Sequence, residues 1–382
     1  MNVIDLIDII NAGENSKIEF KQKEIHQDSF AQEIVAFANT EGGSIIFGIR
    51  DNTSEIIGLT KQQTDAIDTQ IANITTDLIK PFLQITTDTI LIDNKILLII
   101  SVPKGSSKPY NIRGSIYIRQ GSTKRPLSDT DEILRLYQSS GRLYADEMII
   151  ENTSINDIDL NKIESYFAAQ KKKFNVVHEQ LLINLGVLKD NKLTLGGFLF
   201  FGKNPQQYKP VFMIKAVSFF GNSIGGTEYK ESLDLTGTIP ELFDLGIRFF
   251  NNNLRHTQQE QNFNSVGILE ISITAIEELL QNALIHRDYL RNAPVRLLIF
   301  DNHIEIISPG KLPNGLTIEN IKLGNAVVRN NLLVSYCSKI MLYRGFGSGI
   351  TRVMEEQPDT EFINDVDGEQ FIVKIPRPED NR

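Results

Sequence analysis

The spacing of apolar and polar positions divides the chain into three sections. In the first, 1–142, helices and strands alternate. MNVIDLIDIINAGENS reads as a short amphipathic helix, Ile18–Lys21 as a short extended run, and Ser29–Thr40 as a helix that Asp28 is placed to cap. Glu41-Gly42-Gly43 stops that helix, and Ser44–Ile49 is an apolar strand ending at Arg50-Asp51-Asn52. A second helix is predicted over 62–80, strands over 84–92 and 95–102, a further strand over Ser115–Arg119, and a closing helix over Asp129–Ser139. The second section, 143–262, holds the cationic run Lys171-Lys172-Lys173, a helix leading into a hairpin at Asp190-Asn191, apolar strands over Thr194–Phe201 and Val211–Phe220, and a helix over 239–253. Gly196 and Gly197 imply a bulge or a close backbone approach in the first of those strands. The third, 263–382, opens with a long helix over 271–286 and two strands, Val295–Phe300 and Ile304–Ile307. A Gly-rich turn, a helix from about 349 and a last strand, Gln370–Ile375, complete it. The class expected is α/β (α+β).

Composition narrows this picture. A hydrophobic share of 41% and a charged share of 23% are those of a globular chain. No apolar run reaches the roughly 18 residues needed to span a bilayer, so no membrane partner is expected. The single cysteine, Cys337, excludes an intrachain disulfide framework and fits a cytoplasmic protein. The net charge of −9 is unevenly spread. From Ser101 to Ser128 stand six basic residues (Lys104, Lys108, Arg113, Arg119, Lys124 and Arg125) and no acidic one. Such a local field is what phosphate binding requires, and an acidic remainder does not cancel it beyond about 8 Å.

Glu14, Glu19 and Lys21 flank the start of one strand, and Asp51 ends the next. If the strands pair, three carboxylates and an ammonium converge, the donor set of a Mg²⁺ or Mn²⁺ site acting on phosphates. The alternative is an ordinary set of surface charges. The stretches Glu14-Asn-Ser-Lys-Ile-Glu19-Phe20-Lys21, Ala36-Phe37-Ala38-Asn39-Thr-Glu-Gly42-Gly43 and Phe47-Gly48-Ile-Arg-Asp51 occur in order, and together resemble the Schlafen AlbA-type domain over about 10–130. The resemblance implies a mixed-sheet domain that binds DNA or RNA. It also implies, in the relatives that cut RNA, a catalytic metal site at the positions of Glu14, Glu19 and Asp51. For Asn39 and the two glycines a fold reason suffices.

In the third section Glu278, Asn282 and His286 fall at four-residue spacing on one helix face. An Asn with a Glu one turn earlier can hold Mg²⁺ and orient a water beside a triphosphate. Gly345-Phe-Gly347-Ser-Gly349 opens a helix whose free N–H groups can receive phosphate. With Asn282-Ala-Leu-Ile-His-Arg-Asp288, Ser308-Pro-Gly-Lys-Leu-Pro313 and Gly349-Ile-Thr-Arg352, this section resembles the GHKL ATPase-like domain of RecG-helicase-related proteins. The resemblance implies an α/β sandwich, ATP as ligand, Glu278 as the water-activating base, Asn282 as the Mg²⁺ ligand, and Gly345, Gly347 and Gly349 at the phosphates. One departure is visible: Ser308 stands where active members carry the adenine-reading Asp.

Gly197-Phe-Leu-Phe-Phe-Gly202-Lys203-Asn204 fails as a P-loop because Asn204 replaces the Ser/Thr that holds Mg²⁺. No motor signature is present, so helicase action is not expected. The expected organisation is a Schlafen-type domain (1–142), a connecting α/β domain (143–262) and a GHKL-like domain (263–382). The expected function is nucleic-acid binding, DNA or RNA, in an ATP-linked regulator of transcription or defence. The alternatives are a metal-dependent endonuclease using Glu14, Glu19 and Asp51, with Lys21 assisting, and a homo-oligomeric scaffold with a degenerate nucleotide site.

Overall fold

A computed structural model describes residues 3–23, 26–50, 53–171, 179–226, 228–257, 267–313, 316–341 and 347–378. The chain forms two compact units, Met1–Leu143 and Tyr144–Arg382.

The first unit begins α1 (Val3–Ala12), β1 (Ile18–Lys21), α2 (Gln27–Asn39) and β2 (Gly43–Phe47). It continues with α3 (Lys61–Asn73), β3 (Ile79–Lys80), β4 (Thr86–Ile92), β5 (Lys95–Val102), β6 (Asn111–Ile112), β7 (Ser115–Gln120), β8 (Thr123–Leu127) and α4 (Thr130–Ser139). One sheet has the order β1-β2-β5-β4, with β1 parallel to β2 and the other pairs antiparallel. It is covered on both sides, which explains why β2 and β5 read as continuous apolar runs. Ile45, Phe47, Leu98 and Ile100 pack toward α2 and α3, while Ile46, Leu97 and Ile99 pack with Leu6 and Ile10 of α1. A second, antiparallel sheet, β3-β6-β7-β8, lies against α2 through β7.

Two local expectations are corrected here. Asp28 does not cap α2: the N-cap is His26, and Asp28 sits in the first turn, 3.3 Å from Arg113 Nη1. The helix predicted to reach residue 80 leaves α geometry at Ile74 and passes through one π-helical turn, Ile74–Leu78. Thr75 Oγ1 donates back to the carbonyls of Ile71 and Ala72, both at 3.0 Å, a contact that loosens helices. Pro81 then biases its predecessor toward the extended region.

The second unit contains α5 (Leu160–Ala169), α6 (Glu179–Asn184), β9 (Leu188–Lys189), β10 (Lys192–Leu193), α7 (Leu195–Phe201), α8 (Pro205–Tyr208), β11 (Ile214–Phe219), β12 (Tyr229–Leu235) and α9 (Ile239–Asn253). Then come β13 (His256–Thr257), β14 (Ile268–Leu269), α10 (Ile273–Ile285), β15 (Val295–Ile299), β16 (His303–Pro309), α11 (Ile318–Lys322), α12 (Asn331–Ile340), α13 (Ser348–Glu356), β17 (Glu361–Asp365) and β18 (Gln370–Pro376). A six-stranded sheet runs β12-β11-β15-β16-β18-β17, antiparallel except for the β11–β15 pair. Ile214, Ala216, Leu297, Ile299, Ile304, Ile306 and Val373 point from it into the helical layer, where α9 and α10 supply Phe250, Ile276 and Leu280. Residues 143–262 and 263–382, expected as separate parts, thus share one sheet and one core.

Thr194–Phe201, expected as a strand, is a helix. Thr194 Oγ1 accepts the Gly197 N–H at 3.1 Å, and all seven residues of α7 are buried. A short run buried all round carries no period to separate helix from strand. The glycines do permit a close approach, since a Cβ on Gly197 would lie 2.6 Å from Val187 Cα.

Candidate functional site

Glu278 and Asn282 of α10 line a pocket of about 140 Å³ together with Ser308 of β16 and Gly347, Ser348, Gly349 and Arg352 at the start of α13. Its floor is apolar, formed in part by Leu279, Ile306, Ile321 and Val373. Gly347 caps α13 with φ +73°, and a Cβ there would collide with the Gly324 carbonyl. A Cβ on Gly349 would collide with Glu278 Oε2. Both glycines are therefore set by space, and they leave the first-turn N–H groups of α13 at the pocket wall, where an anion is favoured.

Glu278 is not idle. Its Oε1 accepts from Arg352 Nε at 3.0 Å and from Arg352 Nη2, while Arg352 Nη1 donates to Ser348 Oγ at 3.1 Å. His286, on the same face one turn past Asn282, is held neutral: burial, aided by the Arg329 charge, lowers its pKa to about 4. Ser308 donates its hydroxyl to the Ala283 carbonyl at 3.1 Å, so no carboxylate and no spare hydroxyl proton stands there.

In the first unit the sequence-selected charges form a buried network. Arg119, with a side chain 1% exposed, bridges Glu19 at 2.9 Å and Glu33 at 3.0 Å, and also donates to the Asn15 carbonyl at 2.9 Å. Its guanidinium lies 4.4 Å from the centroid of Phe37. Lys21 takes the other oxygen of Glu19, and Lys124 pairs with Glu33 at 2.9 Å. Glu14 Oε1 accepts the Phe20 N–H at 2.8 Å. Asp51 lies outside the described residues. Among the described residues no cluster of three metal-ligating side chains forms. Both oxygens of Glu19 are engaged by cations, Oε1 by Lys21 and Oε2 by Arg119.

The six basic residues separate by burial. Lys108 is buried and donates to the Thr40 carbonyl at 2.6 Å; burial and neighbouring Lys104 lower its pKa to about 8. Like Arg119, it is buried in the interior. Arg113, Arg125 and Lys104 are more open, paired at the surface with Asp28, Glu132 and Glu41 respectively.

Residues 14–128 match the family model described as "Schlafen, AlbA_2". Residues 292–374 match "Putative ATP-dependent DNA helicase recG C-terminal", and residues 134–215 match a domain of unknown function, DUF8451. The chain carries a Schlafen AlbA_2 domain and a recG C-terminal-type domain.

The DIP2311 protein of Corynebacterium diphtheriae, a solved structure, shares the fold at TM-score 0.50 and 20% identity, covering 99% of this chain and 80% of that one. The N-terminal domain of a RecG-related protein from Nitrosomonas europaea aligns over 33% of this chain and 94% of its own, with 22% identity and TM-score 0.25. No curated protein matches. The two domains together suggest nucleic-acid-related, ATP-linked work. No helix among the described residues is long and apolar enough to cross a membrane.

Around the recG C-terminal-type domain, the structure brings Glu278, Asn282, Gly347 and Gly349 to one pocket; Gly345 lies outside the described residues. In the Schlafen AlbA_2 domain it links Lys21 to Glu19 and Glu19 to Arg119, and Glu33, which sequence reasoning passed over, joins Arg119 to Lys124. The signal for Glu33 was its place in α2, a carboxylate among the apolar residues Phe30, Ala31, Ile34 and Val35.

Proposed function

We propose that the chain is a nucleic-acid-binding regulator whose C-terminal pocket takes ATP. The reading is supported above all by the meeting of Glu278, Asn282, Ser308, Gly347 and Gly349 at one pocket. The cradle fits a phosphate chain: two glycines without room for a Cβ, helix N–H groups, and the Asn282 amide beside them as a ligand for a phosphate-borne Mg²⁺. Mg²⁺, when bound, would neutralise the phosphate oxygens. The absence of a carboxylate at Ser308 leaves base recognition to shape and apolar contact, so modest affinity is expected.

In the Schlafen AlbA_2 domain, Arg113, Arg125, Lys104 and Lys124 are the candidates for phosphate contact. Surface ion pairs such as Arg113–Asp28 stabilise little, so a polyanion can replace their carboxylates. Binding is favoured over cleavage because both oxygens of Glu19 are engaged by Lys21 and Arg119.

The test is fluorescence anisotropy with labelled tRNA, single-stranded DNA and duplex DNA across a salt series, with and without ATP and Mg²⁺. Affinity should fall with salt, and Arg113→Ala with Arg125→Ala should reduce the slope of log K against log salt by about two. A slope unchanged in the double variant would remove this surface from the reading, and no binding to any of the three would end it.

A further inference from the structure

We infer that Arg352 reads the terminal phosphate of the nucleotide, and that its ion pair with Glu278 is the latch which that phosphate opens. The inference rests on the reading of the pocket as an ATP site and adds to it a residue that discriminates triphosphate from diphosphate.

In the present structure Arg352 directs two of its nitrogens, Nε and Nη2, at a single oxygen, Glu278 Oε1. The third, Nη1, holds Ser348 Oγ in the first turn of α13. The carboxylate's second oxygen is pressed against Gly349. Glu278 is thus fixed on both sides by groups from one helix start, and its negative charge is compensated. The side chains are 28% and 12% exposed, so the pair sits at the pocket wall and within reach of a ligand.

A phosphate arriving on the α13 N–H groups meets the guanidinium at close quarters. It competes for the same planar donors, and phosphate matches that fork at least as well as one carboxylate oxygen does. Transfer of Arg352 to the phosphate leaves Glu278 uncompensated next to Asn282, able to orient water and accept its proton. A diphosphate that stops short of the guanidinium leaves the latch closed.

Opposite effects from the two partners distinguish a latch from a brace. Equilibrium binding of ADP and of a non-hydrolysable ATP analogue, with Mg²⁺, would be measured for the full chain and for Arg352→Ala and Glu278→Gln. The wild type should prefer the triphosphate. Arg352→Ala should lose that preference by weakening the analogue roughly tenfold or more while ADP is unchanged. Glu278→Gln, which removes the competing charge, should tighten the analogue several-fold. A structural brace between α10 and α13 predicts that both variants lose both ligands together, which would overturn the inference, as would no change in either. If the wild type binds neither ligand, the ATP reading itself fails and takes the latch with it. Circular dichroism on each variant separates lost binding from lost fold, and Arg352→Lys, retaining charge without the fork, should restore part of the preference if the latch holds.

Discussion

Asn39 and Tyr110 exchange hydrogen bonds across the first unit: Tyr110 N–H donates to Asn39 Oδ1 at 2.8 Å, and Asn39 Nδ2 donates to the Tyr110 carbonyl at 2.9 Å. A further bond from Nδ2 to the Tyr117 carbonyl, also 2.9 Å, completes a staple from the end of α2 to the loop before β6 and to β7. Asn39 is 2% exposed, so none of these groups has water as a substitute.

Asn39→Ala should therefore leave buried backbone groups without partners and cost about 3 kcal/mol. Asn39→Asp should fare no better, because a carboxylate cannot donate to the two carbonyls. Thermal unfolding followed by circular dichroism should show the first unit melting roughly 10 °C lower. A shift of a degree or less would mean that the staple is dispensable.

The Arg119 network predicts a different pattern. Glu33→Gln and Arg119→Met should each destabilise the first unit by about 3 kcal/mol, since either leaves a charge buried and undercompensated. The double variant should cost clearly less than the two together. Additive losses would show that Glu33 and Arg119 do not interact. Glu19→Ala is expected to behave like Glu33→Gln, so any loss of activity in it has to be read beside its melt.

Asp146 supplies a pH dependence. It is fully buried, Oδ2 accepts the Leu333 N–H at 3.0 Å, and burial raises its pKa to about 6. The folded state therefore holds this proton more tightly than the unfolded chain does. Its contribution is greatest below about pH 4 and is lost as pH rises through about 6. Asp146→Asn keeps an acceptor for Leu333 without the charge. Relative to wild type, the variant should gain stability between pH 4 and 7, by on the order of 2 kcal/mol. Denaturant melts of both proteins at several pH values would show it, and a constant difference across that range would refute it.

Gly349→Ala should empty the pocket of its ligand without unfolding the unit. The added methyl meets Glu278 Oε2 and pushes aside the carboxylate and the first turn of α13. Adenine-nucleotide binding should fall at least tenfold while the far-ultraviolet spectrum holds. Retained binding would mean that the phosphate chain does not lie on Gly349.

The readable parts of this molecule are those in which spacing is tied to one element. Glu278 and Asn282 share a helix face because four residues make about one turn, and Gly347 had to be a glycine because its φ is positive. What stayed hidden depends on partners distant in sequence. Arg119 is 100 residues from Glu19, and within a run of six cations nothing local marks it as the interior one. Arg352 stood in the quoted motif, but its hold on Glu278 spans 74 residues. The misreading of Thr194–Phe201 had a different source: burial on every side erased the periodicity on which the choice between helix and strand depends.

The one parallel pair in the six-stranded sheet also dictates a timetable. β11 meets β15 in register from Ile214↔Val295 to Ser218↔Ile299, across about eighty intervening residues. On a ribosome the first unit can complete both of its sheets before any of that register exists, whereas β11 and β12 emerge as a hairpin with one long edge uncovered. The edge of β11 stays open until β15 is released, and only then can β16, β18 and β17 add outward. Long-range closure of this kind is slow, and open apolar strand edges invite misassembly. Synthesis of the second unit therefore passes through a vulnerable interval. A fragment confined to 292–374 would inherit the same open edge permanently, at β15, and is expected to aggregate rather than fold.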